Sequence, residues 1–440
     1  MEVKIMFRRF TVLLAMLIAG TGGLFASGSA YAVPSFARQT GMTCSSCHTI
    51  FPKLTAFGRM FKLDGYTMTG VPQIQQDDSK AAPGMKINAP APVSAMVQVG
   101  LTHVNNPDAN TENNNVTFPT ALSLYYAGEI SPHMGTFLQV TMDGAKSSFG
   151  FDMADIRYAN STSTKGGTSI TYGLTLDNMT GMEDVWNTTP SWTYPFLAGS
   201  PDHGDSPAVN SLMGGGLGAY ALVDNQWYGY LSIYNPMSNQ KTMYDGTMYM
   251  GNPHAENPYW RLAWQGDIGS SDYLEVGTYG TVVQVYGSSM MSQAAAIAKS
   301  DKFTDTALDA QYEHPVGDNN QLNAHAVYIR EKQSLDASNT AAPSQNMTHS
   351  RADVAYIVGG RFQYQIGYFS TTADSGAYAF DGMNTAAFGG DNKGYVAEFD
   401  YLPWENTKFS LQYTGFNTFG GTTNNATDNN TLLANAWFMW

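Results

Sequence analysis

Two cysteines are all that 440 residues carry, so no disulfide scaffold can staple this chain. Charge is scarce as well. Asp, Glu, Lys and Arg make up 13% of the residues, about half of the roughly 25% usual in a soluble domain. Intrinsic disorder is excluded, because it needs high charge and few aromatics, and this chain has 26 Tyr, 22 Phe and 8 Trp. Beyond the first 32 residues no run approaches the ~20 apolar residues of a membrane-spanning helix. With 22 basic against 36 acidic residues the net charge is −14, which speaks against nucleic acid as a partner. What is present is polarity from 44 Gly and abundant Tyr, Asn, Ser and Thr, the composition of a large, mainly β protein.

Residues 1–32 read as a secretory signal peptide. Lys4, Arg8 and Arg9 form a basic start, Phe10 to Gly20 an apolar stretch too short to span a bilayer, and Ala30-Tyr31-Ala32 a small-x-small cleavage pattern. Val33 is then the expected first residue of the mature chain. Three zones follow. Residues 33–70 hold both cysteines and four basic residues (Arg38, Lys53, Arg59, Lys62) against one acid, Asp64. Residues 71–92, with Pro72, Pro83, Pro90 and Pro92, read as a linker. Residues 93–440 have no helical period but strong two-residue alternation, and from residue 71 onward the charge is strongly negative. A small cationic module precedes a large anionic one.

The alternation is that of strands with one apolar and one polar face. Ile170, Tyr172, Leu174 and Leu176 oppose Ser169, Thr171, Thr175 and Asp177. Phe362, Tyr364, Ile366 and Tyr368 oppose Gln363 and Gln365, and Phe409, Leu411 and Tyr413 oppose Lys408, Ser410, Gln412 and Thr414. About sixteen such segments are expected, from Val93–Val104 to Thr431–Trp440, each near the 9–11 residues that cross a bilayer at a tilt. Their connections alternate between tight turns (Ser131-Pro132, Asp224-Asn225, Gly359-Gly360) and long polar loops such as 105–117, 178–214, 236–257, 333–347, 371–391 and 418–430. Tight turns at one end and large loops at the other are what a transmembrane barrel requires. The expected fold is therefore a sixteen-strand antiparallel barrel in the outer membrane of a Gram-negative bacterium, with large extracellular loops and an interfacial girdle that includes Tyr125, Tyr126, Trp227, Trp260, Trp404 and Trp437. A periplasmic β protein is the competing fold.

Both cysteines sit in Cys44-Ser45-Ser46-Cys47-His48. C-x-x-C-H is the c-type haem attachment signature: two thiols add to two vinyl groups and the adjacent imidazole reaches the iron. A redox dithiol would need a thioredoxin-like βαβ context, which is absent. A zinc site would need a further ligand nearby, and the next histidine is His103. After the motif, Ile50, Leu54, Phe57 and Phe61 have helical spacing. A module of this size rarely makes a stable core alone, so residues 33–70 are expected within or against the barrel mouth, completed by the haem. For the distal ligand, Met60 and Met68 are the nearest candidates; Met42 is too close to Cys44 and Met85 lies in the linker. Arg59 and Lys62 are candidates for pairing with haem propionates. Two weaker metal clusters are Asp202-His203 with Asp205, and Met243, Met248 and Met250. No nucleophile–base pair, phosphate loop or zinc-protease motif supports hydrolysis.

The stretch from Val33-Pro34-Ser35-Phe36 through Arg38-Gln39-Thr40-Gly41, the C-x-x-C-H motif, Phe51-Pro52, Leu54-Thr55, Gly58-Arg59, Phe61-Lys62-Leu63 and Gly65-Tyr66 resembles the fused monohaem cytochrome–porins of the bacterial outer membrane. That family is best known as iron oxidases. The resemblance implies one covalent haem c on Cys44 and Cys47 with His48 as proximal ligand, and a barrel plugged by the haem module. It also implies oxidation of extracellular Fe(II) with electron delivery to periplasmic cytochromes. Two alternatives stay open: a haem-plugged porin for small solutes, and a conduit carrying electrons outward to an external acceptor.

Overall fold

The computed structural model describes residues 33–68, 91–107, 113–143, 148–188, 197–201, 203–235, 256–286, 300–380 and 385–440, all within one compact unit. The expected signal peptide, nearly all of the linker, Met85, Asp202 and the Met243–Met250 cluster lie outside the described residues. Sixteen strands form a closed antiparallel barrel in which every strand pairs with its sequence neighbours. The first eight are β1 (Val93–Val104), β2 (Val116–Ser131), β3 (Met134–Asp143), β4 (Ser148–Ser163), β5 (Ser169–Met179), β6 (Met213–Val223), β7 (Trp227–Asn235) and β8 (Asn257–Ile268). The rest are β9 (Asp272–Tyr286), β10 (Ser300–Val316), β11 (Asn320–Leu335), β12 (Ser344–Val358), β13 (Phe362–Ala373), β14 (Asn392–Trp404), β15 (Thr407–Thr418) and β16 (Thr431–Met439). Closure is made by β16 against β1, in a register running from Thr431↔Val104 to Met439↔Met96.

Closure follows from where these strands stand. Hydrocarbon offers no partner to a backbone N–H or C=O, so a sheet there must have no free edge. The faces sort accordingly. Leu174, Leu217, Leu231 and Ile366 expose between 56% and 69% of their surface on the outside. Thr171, Thr175, Asp177, Gln363, Gln365, Lys408 and Gln412 are buried inside. The tight turns have the backbone their residues favour: Asp224 and Asn225 both have positive φ (52° and 58°), as do Gly359 and Gly360 (59° and 63°). Both pairs are the central residues of tight turns closed by Gln226 N to Val223 O and Arg361 N to Val358 O, each at 3.0 Å, within three-residue connections between Val223 and Trp227 and between Val358 and Phe362. The girdle needs one correction. Tyr126 and Trp227 are exposed, but Tyr125 (5%) and Trp437 (8%) point inward, because they share a strand face with Ser123 and with Asn435.

Residues 33–68 contain α1 (Pro34–Thr40), the single turn α2 (Cys44–Cys47) and α3 (Ala56–Leu63). Ile50 and Leu54 are not helical, contrary to the apolar spacing; they belong to a short antiparallel pair, His48–Ile50 with Lys53–Leu54. Pro52 has no N–H to offer a helix there, and Thr55 starts α3 by accepting a hydrogen bond from Gly58 N at 3.1 Å. The segment packs on the inner wall. Lys53 Nζ donates to Gln363 and Gln365 at 3.1 and 3.0 Å, Tyr66 Oη donates to Asp155 at 2.7 Å, and Arg59 pairs with Glu313 at 2.5 Å. Gly135 of β3 permits a close approach of the module backbone to the wall, since a Cβ there would fall 2.3 Å from the Gly65 carbonyl oxygen.

The β5–β6 connection, expected as an extracellular loop, also folds inward. Glu183 meets Arg157 at 2.9 Å, Trp186 Nε1 donates to Gln265 and Tyr273, and Ala208 N and Val209 N donate to Glu331 and Asp305. Buried carboxylates and guanidinium groups need such partners, and the inner wall supplies them. Trp186, Val185, Ala208, Val209 and Leu212 then pack with Leu63, Tyr220, Tyr228 and Tyr230 into the main apolar cluster.

Candidate functional site

Cys44, Cys47 and His48 open onto one cavity of about 410 Å³ inside the barrel, within the ~300–1,000 Å³ range of small-molecule and cofactor sites. Module residues (Phe36, Leu54, Phe57, Phe61) line one side and wall residues (Met96, Tyr125, Trp437, Met439) the other. The motif stands at the tight-turn end of the barrel. Cys44 N donates to Glu405 Oε2 at 2.9 Å and Ser45 Oγ to Glu405 Oε1 at 3.2 Å, and Glu405 lies between β14 and β15.

The local sequence builds the motif's conformation. Thr55 Oγ1, while capping α3, donates to the Ser46 carbonyl at 2.7 Å, and Thr55 N donates to Cys47 O at 2.9 Å. Gly58 lets α3 come against the same carbonyl, because a Cβ at this position would sit 2.2 Å from Cys47 O. The helix is thus locked onto the C-x-x-C turn. The two thiols are not joined to each other. Burial lifts the Cys47 thiol to about 11 and lowers the His48 imidazole to about 4, so at neutral pH one is a protonated thiol and the other a neutral base. His48 Nδ1 is buried without a hydrogen-bond partner. Two cysteine thiols one helical turn apart, a neutral imidazole and an apolar cradle form a donor set and shape that fit a covalently held haem.

The module's cations meet the wall's acids. Arg59 stands between Glu313 and the ring of Tyr273, whose centroid is 4.4 Å from the guanidinium carbon. Lys53 is buried in the field of Asp353, Glu398 and Asp400, and Lys62 in that of Asp155, Glu183 and Asp184, opposed by Arg157. Of the two expected propionate partners, Lys62 lines the cavity and Arg59 does not.

The expected distal ligands are elsewhere. Met60 packs against the main apolar cluster, and neither Met60 nor Met68 lines the cavity. Five other methionines do: Met42, Met96, Met153, Met182 and Met439. One sequence signal could have pointed to the wall members. A thioether at Met96 shares the polar face of its strand with Ser94 and Gln98, where an apolar residue needs a reason. Of the Asp202-His203-Asp205 cluster only His203 and Asp205 are described, and they turn to different partners: His203 stacks on Phe369 with centroids 4.1 Å apart, and Asp205 accepts from Gly389 N. Among the described residues no group of three or more His, Cys, Asp or Glu side chains is placed to hold a metal ion.

The chain matches no family model and no curated protein. It is similar to solved outer-membrane barrels. A loop-deletion mutant of OmpT from Vibrio cholerae aligns over 79% of this chain and 98% of its own, at 11% identity and a TM-score of 0.46. An anion-selective porin from Comamonas acidovorans aligns over 79% and 98%, at 9% identity and 0.46. Salmonella typhi OmpF, in complex with daunomycin, aligns over 79% and 97%, at 12% identity and 0.45. The barrel itself defines the class. A closed sixteen-strand antiparallel barrel, apolar outside and polar within, spans the outer membrane of a Gram-negative bacterium. This chain is a porin-like outer-membrane barrel.

Proposed function

We propose that this barrel is an outer-membrane electron-transfer protein that takes electrons from extracellular Fe(II) and passes them to a periplasmic cytochrome through a single c-type haem. The observation that carries the reading is the convergence of Cys44, Cys47 and His48 on one apolar cavity inside the barrel. Bound there, the haem supplies a one-electron couple and no bond making in the substrate. The residues of the chain supply attachment, position and access. Cys44 and Cys47 would hold the two thioether links, and His48 would offer the iron a neutral imidazole. Phe36, Leu54, Phe61 and Trp437, which line the cavity, would keep water from the group held there. The tight-turn end, where Glu405 holds the motif, is the periplasmic end of such barrels, so the site lies close to a soluble acceptor. The excess of carboxylates in the chain favours a cationic donor over an anionic solute.

Anaerobic titration of the purified protein with Fe(II) tests this. The ferrous haem spectrum is expected to grow with added Fe(II) in the parent protein and to stay absent in His48→Ala, whose barrel still shows heat-modifiable migration. Fe(II) oxidation at an unchanged rate in that variant would refute the assignment. A second reading, a porin passing small solutes, rests on the closed sixteen-strand barrel itself. The module and the inward β5–β6 connection count against it, since both occupy the lumen. Liposome swelling separates the two: a pore leaks sugars and a filled lumen does not. Outward electron flow would instead require a reduction potential too low for Fe(II) to reduce the haem.

A further inference from the structure

We infer that Met96, in the barrel wall, is the sixth ligand of the haem iron, and that Tyr125 positions its sulfur. The inference rests on the haem reading above and asks which side chain faces His48 across the cavity. Met42 is two residues from Cys44, and attachment of that cysteine would hold it at the macrocycle's edge. That leaves Met96, Met153, Met182 and Met439 among the cavity's methionines. Of these, among the described residues, Met96 alone has a sulfur that accepts hydrogen bonds, from Tyr125 Oη at 3.3 Å and, more weakly, from Gln98 Nε2 at 3.9 Å. Met96 is 3% exposed and Tyr125 5%, so the pair is fixed away from water, and both line the cavity.

A thioether sulfur has two lone pairs. The phenol engages one at 3.3 Å, and the other, which Gln98 Nε2 meets only at 3.9 Å, can turn to a metal. The hydrogen bond also restricts the flexible end of a side chain that is otherwise among the most adaptable, which is what a ligand needs. The module is tied to the very stretch of β1 that carries Met96: Ser35 N donates to Ser94 Oγ at 2.8 Å, and Arg38 donates to the Val93 carbonyl. His48 and Met96 therefore belong to one fixed frame although 48 residues separate them in the chain. Methionine opposite histidine raises the reduction potential. Donation from Tyr125 draws density off the sulfur, disfavours ferric iron and raises the potential further.

The test uses the purified haem protein in detergent or bilayer. The ferric parent is expected to show the weak far-red band of thioether-ligated haem. Met96→Ala loses that band and opens the sixth position to added imidazole. Met96→His restores a six-coordinate low-spin spectrum without the band, which a merely structural role for Met96 would not do. Tyr125→Phe keeps the band and shifts the potential negative. A parent protein without the band, or a band that survives Met96→Ala, overturns the inference while leaving the haem reading intact. A denatured parent polypeptide that carries no covalent haem overturns both.

Discussion

The barrel and the module inside it face the same problem, backbone and side-chain polar groups away from water, and meet it in opposite ways. The barrel satisfies its backbone by itself, strand against strand until the last pairs with the first. The module has too few residues to do so. Its helices span only seven, four and eight residues, short for independent stability, and its buried groups find partners on the wall: Arg59 on Glu313, Lys53 on Gln363 and Gln365, Tyr66 on Asp155. The barrel is therefore the scaffold and the module its dependant. Disturbing the module should spare the barrel, while disturbing the inner wall should release the module.

The largest expected effect tests the first half of that asymmetry. Replacing Cys44 and Cys47 by Ser should abolish covalent haem entirely, read as haem stain on the denatured chain, while the barrel keeps its heat-modifiable migration. A barrel that fails to fold without haem would break the comparison. Next is Arg59→Ala, which leaves Glu313 without its cation. Stranding one member of a buried pair costs about 3–5 kcal/mol, and here the loss should appear as protease cleavage within 33–68 with the strands still protected. Charging the lipid face attacks the barrel instead. Leu217→Arg, at the middle of β6 and 67% exposed to the outside, should destabilise the barrel by about 2–4 kcal/mol in bilayer denaturant titration, with the haem spectrum unchanged up to the unfolding midpoint. The smallest effect is local. Thr55→Ala removes the cap of α3 and its tie to Ser46, a loss of about 1 kcal/mol, and Thr55→Ser should recover most of it.

Much of this was open to reading in the chain itself. The period-two alternation at 170–176, 362–368 and 409–413 marked strands whose two faces meet different surroundings, and those faces are apolar outside and buried polar inside. Asp224-Asn225 and Gly359-Gly360 announced their turns because positive φ is cheap for few residues. The C-x-x-C-H spacing named a candidate site because the chemistry it suits is local in sequence. Other features were not legible. The helix expected from Ile50 starts only after Thr55, since Pro52 interrupts the hydrogen-bond ladder. The β5–β6 connection looked like any long polar loop, and only its partners Arg157, Asp305 and Glu331, scattered across the wall, draw it inward. Tyr125 and Trp437 looked like interface aromatics, yet strand register turns both into the lumen.

Alternation, turn chemistry and one pentapeptide were thus settled by the order of residues alone, because each depends on neighbours a few positions apart. What fills the lumen, and which side chains face Cys44, Cys47 and His48, was decided by the closed barrel. Closing it brings Met96 of the first strand beside Met439 of the last and both onto the cavity, a proximity that no local pattern encodes.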